Sequence, residues 1–361
     1  PDQTFSYVST TASFESLYDE GQYVGFGFSY ITDSEGYLWV RYVYTESAAG
    51  RTGMQRGDRI VKINDQDVQQ LTANPGWSSI FGGDEDIGLT ITMELERAGA
   101  ENIPIEMEKG VANINTVLHS SVINEGGYAI GYLVYSSFLD ISRAELDQVF
   151  AQFTEAGVSK VILDLRYNGG GSVAVSNYLA SYFNPGPASG SLFNRIQFNA
   201  NNQNLNTDFY LQTDLPSLQI EQLTVITSSR TCSASEMIIN GLRPFLDVKT
   251  IGSATCGKPV GQNPFFFCGT ALLPVTFEIV NGQDEGEYFD GIAADCAFVD
   301  SAGAFADDYQ NALGDISAPV LGAAVNYAVR GECVAAKPGK NQTNGRLPDF
   351  ENGLGAVIGA I

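Results

Sequence analysis

Apolar and polar positions follow two rhythms along the chain. Between residues 21 and 108 the runs VGFGFSY, LWVRYVYTESAA, GMQRGDRIVKINDQDVQQL and LTITMELERAG alternate over short stretches broken by Gly and Asp. That pattern predicts a small β-rich module with one or two helices. From residue 127 strands alternate with helices. YAIGYLVY reads as a buried strand; Ser142 with Glu145 matches an S-x-x-E capping box, and Leu146, Val149, Phe150 and Phe153 follow at helical spacing before Gly157. KVILDLRYN is the next strand and SVAVSNYLASYF the next helix, so the order is βαβ and the fold class α/β, with helices packed on a largely parallel sheet. ALLPVTFEIV reads as a later strand, QDEGEYFDGI as a return loop and SAPVLGAAVNYAVR as a final helix. This divides the chain into a lead-in of helix or linker without readable chemistry (1–20), the β-rich module (21–108), an α/β core (109–334) and a loop-like tail (335–361). Residues 184–221, rich in Asn, Gln, Ser and Pro, read as a surface excursion or a lid.

The stretch 224–262 carries the candidate chemistry. The β-branched run Val225, Ile226, Thr227 stops at SSRTC, and Ser233 opens an amphipathic stretch with Met237, Ile238 and Leu242: strand, sharp turn, helix. A hydroxyl at a helix N-terminus lies beside free N–H groups able to hold an oxyanion. It is equally an ordinary cap, since Ser233 and Glu236 also fit a capping box. A serine nucleophile needs a base, and Lys258 can serve if burial lowers its pKa from about 10.4 toward about 7–8. Val260, Phe265, Phe266 and Phe267 are the neighbours expected to desolvate it, and Gln262 can accept from its amine.

These residues resemble the C-terminal processing (tail-specific) peptidases, which join a PDZ domain to a Ser-Lys core. Ser233 stands before A-S-E, Lys258 follows in a G-K segment and Gln262 comes after it, each at the family's spacing; Asp164 to Gly171 is similar to the family's D-L-R-x-N-G-G-G. The resemblance implies a crotonase-like core with an inserted or preceding PDZ domain. It also implies a serine endopeptidase whose oxyanion-hole N–H groups are those of Gly171 and Ala234. Gly57 to Asn64 and the run Gly25, Phe26, Gly27, Phe28 resemble PDZ features, the latter the carboxylate-binding loop, which implies protein or peptide substrates with apolar C-termini. Pro244 stands where some relatives carry an aspartate, leaving Asp247 as a distant substitute. His119, the single histidine, reads as a satisfied imidazole on a half-buried strand rather than as a catalytic base, although tricorn-type relatives use one. Asp164 and Arg166 read as a structural ion pair or as partners of the backbone, rather than as catalytic groups.

Composition narrows the partners. With 42 acidic against 19 basic side chains in 361 residues the net charge is −23, which argues against nucleic acid and anionic membranes. No apolar run approaches a membrane span. Cys232, Cys256, Cys268, Cys296 and Cys333 contain no C-x-x-C pair, so no structural zinc is expected, and no metal or other cofactor. Expected disulfides are Cys256–Cys268 and Cys296–Cys333, leaving Cys232 free, although fully reduced thiols in a cytosolic protein fit the same sequence. The chain opens on Pro-Asp-Gln, and the expectation is an exported protein of bacterial type (periplasmic, surface lipoprotein or secreted) that has lost an N-terminal segment. Asn341-Gln342-Thr343 is a formal glycosylation sequon read as accidental, and the apolar end at Ile361 suggests self-docking on the PDZ domain. Two rivals stand beside the peptidase: a catalytically inactive binding protein on the same scaffold, and a crotonase-like acyl-CoA enzyme.

Overall fold

The computed structural model describes residues 4–33, 35–71, 77–183, 190–220, 222–301 and 303–334. Its centre is a six-stranded sheet with the order Val117–Glu125, Tyr128–Tyr135, Lys160–Asp164, Gln222–Thr227, Asp247–Gly252 and Cys296–Ala297. The first pair is antiparallel and the rest are parallel. Helices Ser142–Glu155, Val173–Tyr182 and Ala234–Leu242 belong to the apolar cluster on one face. Helix Pro319–Arg330, opened by its proline and closed by Gly331 at φ 69°, packs on the other. Covering both faces explains why Val161, Ile162 and Leu163 are all buried without alternation.

The lead-in is part of the core. Strand Tyr7–Thr10 pairs antiparallel with Thr270–Leu273, and helix Thr11–Tyr18 follows it. The β-rich module is therefore inserted into the core rather than placed ahead of it. It is an antiparallel sheet of Phe28–Thr32, Leu38–Val43, Arg59–Ile63, Thr90–Glu96 and Ile103–Glu108, while Gln22–Gly25 closes on Gly110–Asn113. Leu38, Val40, Ile60 and Leu95 form its core with Phe81 and Trp77.

Three readings of local structure need correction. ALLPVTFEIV is not one strand: Pro274, which lacks an N–H, separates Thr270–Leu273 from Val275–Asn281, and the two lie in different sheets. The excursion contains Leu192–Phe198 and Thr207–Tyr210, which join Val275–Asn281 and Val260–Gln262 in a four-stranded sheet. Ser142 is already helical and its hydroxyl donates to Ser137 O, so it caps nothing. Glu145 instead reaches the Thr116 and Val117 N–H groups at 2.8 and 3.0 Å. The readings on Asn341 and Ile361 lie outside the described residues.

The inserted module is bolted to the core by Arg56. Its guanidinium donates to Asn311 O at 2.7 Å and to the Tyr167 hydroxyl at 2.7 Å, and it pairs with Asp307 and Asp308. Arg166 reaches the same two aspartates and holds Asp164 at 2.7 Å, as a structural ion pair.

Candidate active site

Strand Gln222–Thr227 ends in a turn tied to the segment after Lys160–Asp164. The Ser228 hydroxyl donates to Arg166 O (2.6 Å), Thr231 to Leu165 O (2.9 Å), and both the Cys232 N–H and the Ser235 hydroxyl donate to Asn168 O (3.2 and 3.0 Å). These bonds leave little freedom to Ser233, which has φ 55° and ψ −115°. A residue with a Cβ rarely occupies that region, so the turn holds strained backbone just where helix Ala234–Leu242 begins. The Ser233 backbone N–H donates to Glu236 Oε2 at 2.9 Å, and Glu236 is fully buried.

Glu236 does more than cap a helix. The same Oε2 accepts the Lys258 N–H at 2.9 Å, while Oε1 accepts the Gly257 N–H at 2.8 Å and the Thr255 hydroxyl at 2.5 Å. One carboxylate thus fixes the serine turn against the lysine segment. Burial raises its pKa, and the bonds from Thr255, Lys258, Gly257 and Ser233 hold that rise back. A disulfide between Cys232 and Cys256, with Cα atoms 5.2 Å apart, closes the same gap covalently.

Lys258 is fully buried. Its Nζ donates to Gln262 Oε1 at 2.9 Å, and Gln262 Nε2 in turn donates to Phe5 O at 2.6 Å. The Phe5 ring centroid lies 5.2 Å from Nζ. Phe265, Phe266 and Phe267, expected to wall in the amine, are 55, 52 and 79% exposed on their own short strand. That strand pairs with Thr270–Leu273 and leaves its three rings in solvent. The aromatic contact is supplied by the N-terminal lead-in, which carried no legible chemistry.

The glycine turn lies against the serine. Gly170 has φ 112°, and a Cβ there would stand 2.8 Å from Ser233 Cβ and 3.1 Å from Ala234 N. Gly171, at φ 136°, has Phe138 O where its own Cβ would be. Asn168 shapes this turn by accepting the Gly170 N–H (2.8 Å) and donating to Tyr135 O (3.0 Å). Ala234 is the first residue of its helix, where an N–H has no acceptor within the helix.

One of the two expected disulfides forms and the other does not. The disulfides are Cys232–Cys256 and Cys296–Cys333, and Cys268 is the exposed free thiol. The Cys256–Cys268 pairing fails because the lysine segment folds back on the serine turn while Cys268 sits on an outer hairpin. Cys232, Glu236 and Cys256 come within 4.8 Å of one another, but the disulfide uses both sulfurs, leaving no thiolates for a metal. Asp247 pairs with Lys249 at 2.7 Å at the strand's exposed start and accepts from Gln222 Nε2 at 3.2 Å. His119 contacts Ser121 (3.2 Å) and the Tyr132 ring; burial lowers its pKa.

In the inserted module, Gly25, Phe26, Gly27 and Phe28 form the turn from Gln22–Gly25 to Phe28–Thr32. Phe26 O accepts the Ala49 N–H and Gly27 O the Tyr44 N–H, so the turn is braced from behind. Phe28–Thr32 is an edge of its sheet, flanked by Phe28, Tyr30, Phe81 and Trp77 rings.

Residues 129–298 match the model of peptidase family S41. The α/β core belongs to that family. Residues 39–73 match a PDZ domain, so the inserted module is that of a PDZ-containing S41 protein. Its relatives include the carboxy-terminal processing protease CtpA of Bacillus subtilis, 24% identical over 64% of this chain and 47% of that protein. The carboxyl-terminal-processing protease of Synechocystis is 26% identical over 64% and 51%. The chain spans about half the length of these curated relatives. The crystal structure of a Bacteroides fragilis protein assigned to the S41 proteases superposes with a TM-score of 0.71 at 22% identity, covering 90% of this chain and 86% of that one. The photosystem II D1 C-terminal processing protease gives 0.50 at 18%, covering 85 and 83%. Both show the shared fold.

Proposed function

We propose that the chain is a serine endopeptidase in which Lys258 is the general base for Ser233. The observation that carries this reading is the complete burial of Lys258 with its Nζ held by Gln262, on a segment that Glu236 fastens to the Ser233 turn. Complete burial removes the water that stabilises an ammonium ion, which favours an amine able to take a proton. Ser233 then attacks the scissile carbonyl, the Ala234 and Gly171 N–H groups receive the oxyanion, and the lysine returns its proton to the leaving amine before water releases the acyl-enzyme. The open edge at Phe28–Thr32, with its aromatic flank, suits an extended peptide ending in apolar residues, whose carboxylate the Gly25–Phe28 turn would cap. Paired cysteines favour an exported protein.

The test is cleavage of unfolded casein, and of peptides with apolar or charged C-termini, by the wild-type and Ser233→Ala proteins. Cleavage by wild type alone, faster for apolar C-termini, is expected. No cleavage by wild type, with retained binding of apolar-ended peptides, would leave a binding protein on this scaffold.

A further inference from the structure

The lead-in segment makes two separate contacts with the base site through one residue. The Phe5 carbonyl oxygen accepts Gln262 Nε2 at 2.6 Å, and the Phe5 ring centroid lies 5.2 Å from Lys258 Nζ. The next residue seats on the neighbouring strand: the Val275 N–H donates to Ser6 Oγ at 3.0 Å, and Val275 is the register partner of Gln262. That ladder shifts register between Gly261 and Gln262, an irregularity of the kind that re-aims a side chain. Residues 5 and 6 therefore close over the point where the amide of Gln262 meets the amine of Lys258.

What holds this closure in place is slight. Tyr7–Thr10 is four residues long, lies at the edge of a three-stranded sheet and, among the described residues, pairs only with Thr270–Leu273. Its residues alternate between partly buried and exposed, with Val8 63% exposed, and in the helix that follows, Thr11–Tyr18, only Leu17 is buried. A short edge strand with one ladder and little buried apolar surface opens at a lower free energy than the core it leans on. Lys258, in contrast, is fully buried. A dry amine is thus covered in part by a weakly held segment.

We propose that Phe5 is a positioning residue for Lys258 and Gln262, and that residues 4–10 form a strap whose docking makes the base competent. With the strap in place the ring keeps water from Nζ, and the carbonyl holds the Gln262 amide with its oxygen toward the amine. With the strap lifted, water reaches Nζ and stabilises the ammonium form, which cannot take the Ser233 proton. The attraction of a ring face for a cation opposes this, and it is small beside the hydration that burial removes. The inference deepens the peptidase reading and rests on it for the role of Ser233. It gives the site a control element far from both Ser233 and Lys258 in sequence, one that acts on the base and not on the substrate.

The test uses the full chain. Native protein is treated with a limiting amount of acetic anhydride, and the acetylated lysines are mapped by peptide mass. Wild type should label Lys62 and Lys249, whose side chains are 42 and 36% exposed, and leave Lys258 and the buried Lys109 unlabelled. In Phe5→Ala, Lys258 should become labelled while Lys109 stays protected. Phe5→Leu, which refills much of the volume, should restore protection, and Phe267→Ala, on the outer hairpin, should leave it intact. In casein cleavage Phe5→Ala should lower kcat by about 10- to 100-fold with KM unchanged, and Phe5→Leu should recover most of that loss. Labelling of Lys258 in native wild type overturns the proposal before any variant is made, as does continued protection in Phe5→Ala or equal exposure in Phe267→Ala. Lys109 labelled together with Lys258 in Phe5→Ala would make the ring a general packing element and overturn the positioning role. A loss confined to KM would place the strap on the substrate and overturn it as well. If wild type cleaves no casein, the peptidase reading fails, and the labelling alone decides whether the strap covers Lys258.

Discussion

The side-chain amide of Gln262 accepts a hydrogen bond from Lys258 Nζ at 2.9 Å, and its own nitrogen is anchored on Phe5 O. The amide therefore has one orientation available, oxygen toward the lysine, and it offers that amine a neutral acceptor. Replacing it with a carboxylate changes the charge at nearly constant shape. In Gln262→Glu an opposite charge beside Nζ favours the ammonium form, so the acidic limb of the pH–rate profile should move upward by about one to three units. A downward or absent shift would separate Lys258 from the titration that limits activity.

Glu236 is the common acceptor for the serine turn and the lysine segment. Glu236→Gln removes one acceptor oxygen from a set of four buried donors and should destabilise the fold by about 1–3 kcal/mol. The pH dependence has a definite sign. The folded carboxyl has a pKa above its ordinary 4.5, so its favourable contribution is complete below that value and declines as pH rises through the folded one. The melting-temperature difference, wild type minus variant, should thus be largest in acid and shrink toward neutrality. Growth of the difference with pH would contradict the burial argument.

The Cys232–Cys256 bridge closes a separation of 24 residues across the same junction. Reducing it, or making Cys232→Ser with Cys256→Ser, should remove about 3 kcal/mol of stability and lower turnover of casein. Alkylation of the unreduced, unfolded protein should label Cys268 alone, as mapped by peptide mass. A label on Cys232 would contradict the pairing.

Gly170 touches the serine through the space where other residues carry a Cβ. Gly170→Ala must place a methyl 2.8 Å from Ser233 Cβ at φ 112°, which is strained before any contact is counted. Loss of activity by at least about 100-fold with a lowered melting temperature is expected, since small displacements of reacting groups carry costs of that order. A variant with wild-type turnover would show that the turn yields at little cost.

Much of this was legible in the residues. The βαβ order, the helix from Ser142, the strand-turn-helix around Ser233 and the Lys258–Gln262 contact follow from local periodicity and short spacing, and each holds in the fold. What could not be read depends on contacts far apart in the chain. Phe5 reaches Gln262 across the whole inserted module, and a strand of four residues gives no periodic sign of that. Phe265, Phe266 and Phe267 looked like a wall because they are apolar and near, yet their hairpin faces outward. Of the two expected disulfides Cys296–Cys333 holds, and Cys256–Cys268 fails for the same reason: Cys256 is close to Cys268 in sequence and close to Cys232 in space. Glu236 was visible as a helix cap, but its bonds to Gly257 and Lys258 required the second strand to be in place.

The most direct measurement is the rate of casein cleavage by Lys258→Ala beside wild type and Ser233→Ala, with folding of each checked by thermal unfolding. Loss of a base that activates a serine should cost about 10³-fold or more, leaving Lys258→Ala near the Ser233→Ala floor. Cleavage by a folded Lys258→Ala protein at the wild-type rate would contradict the Ser-Lys assignment.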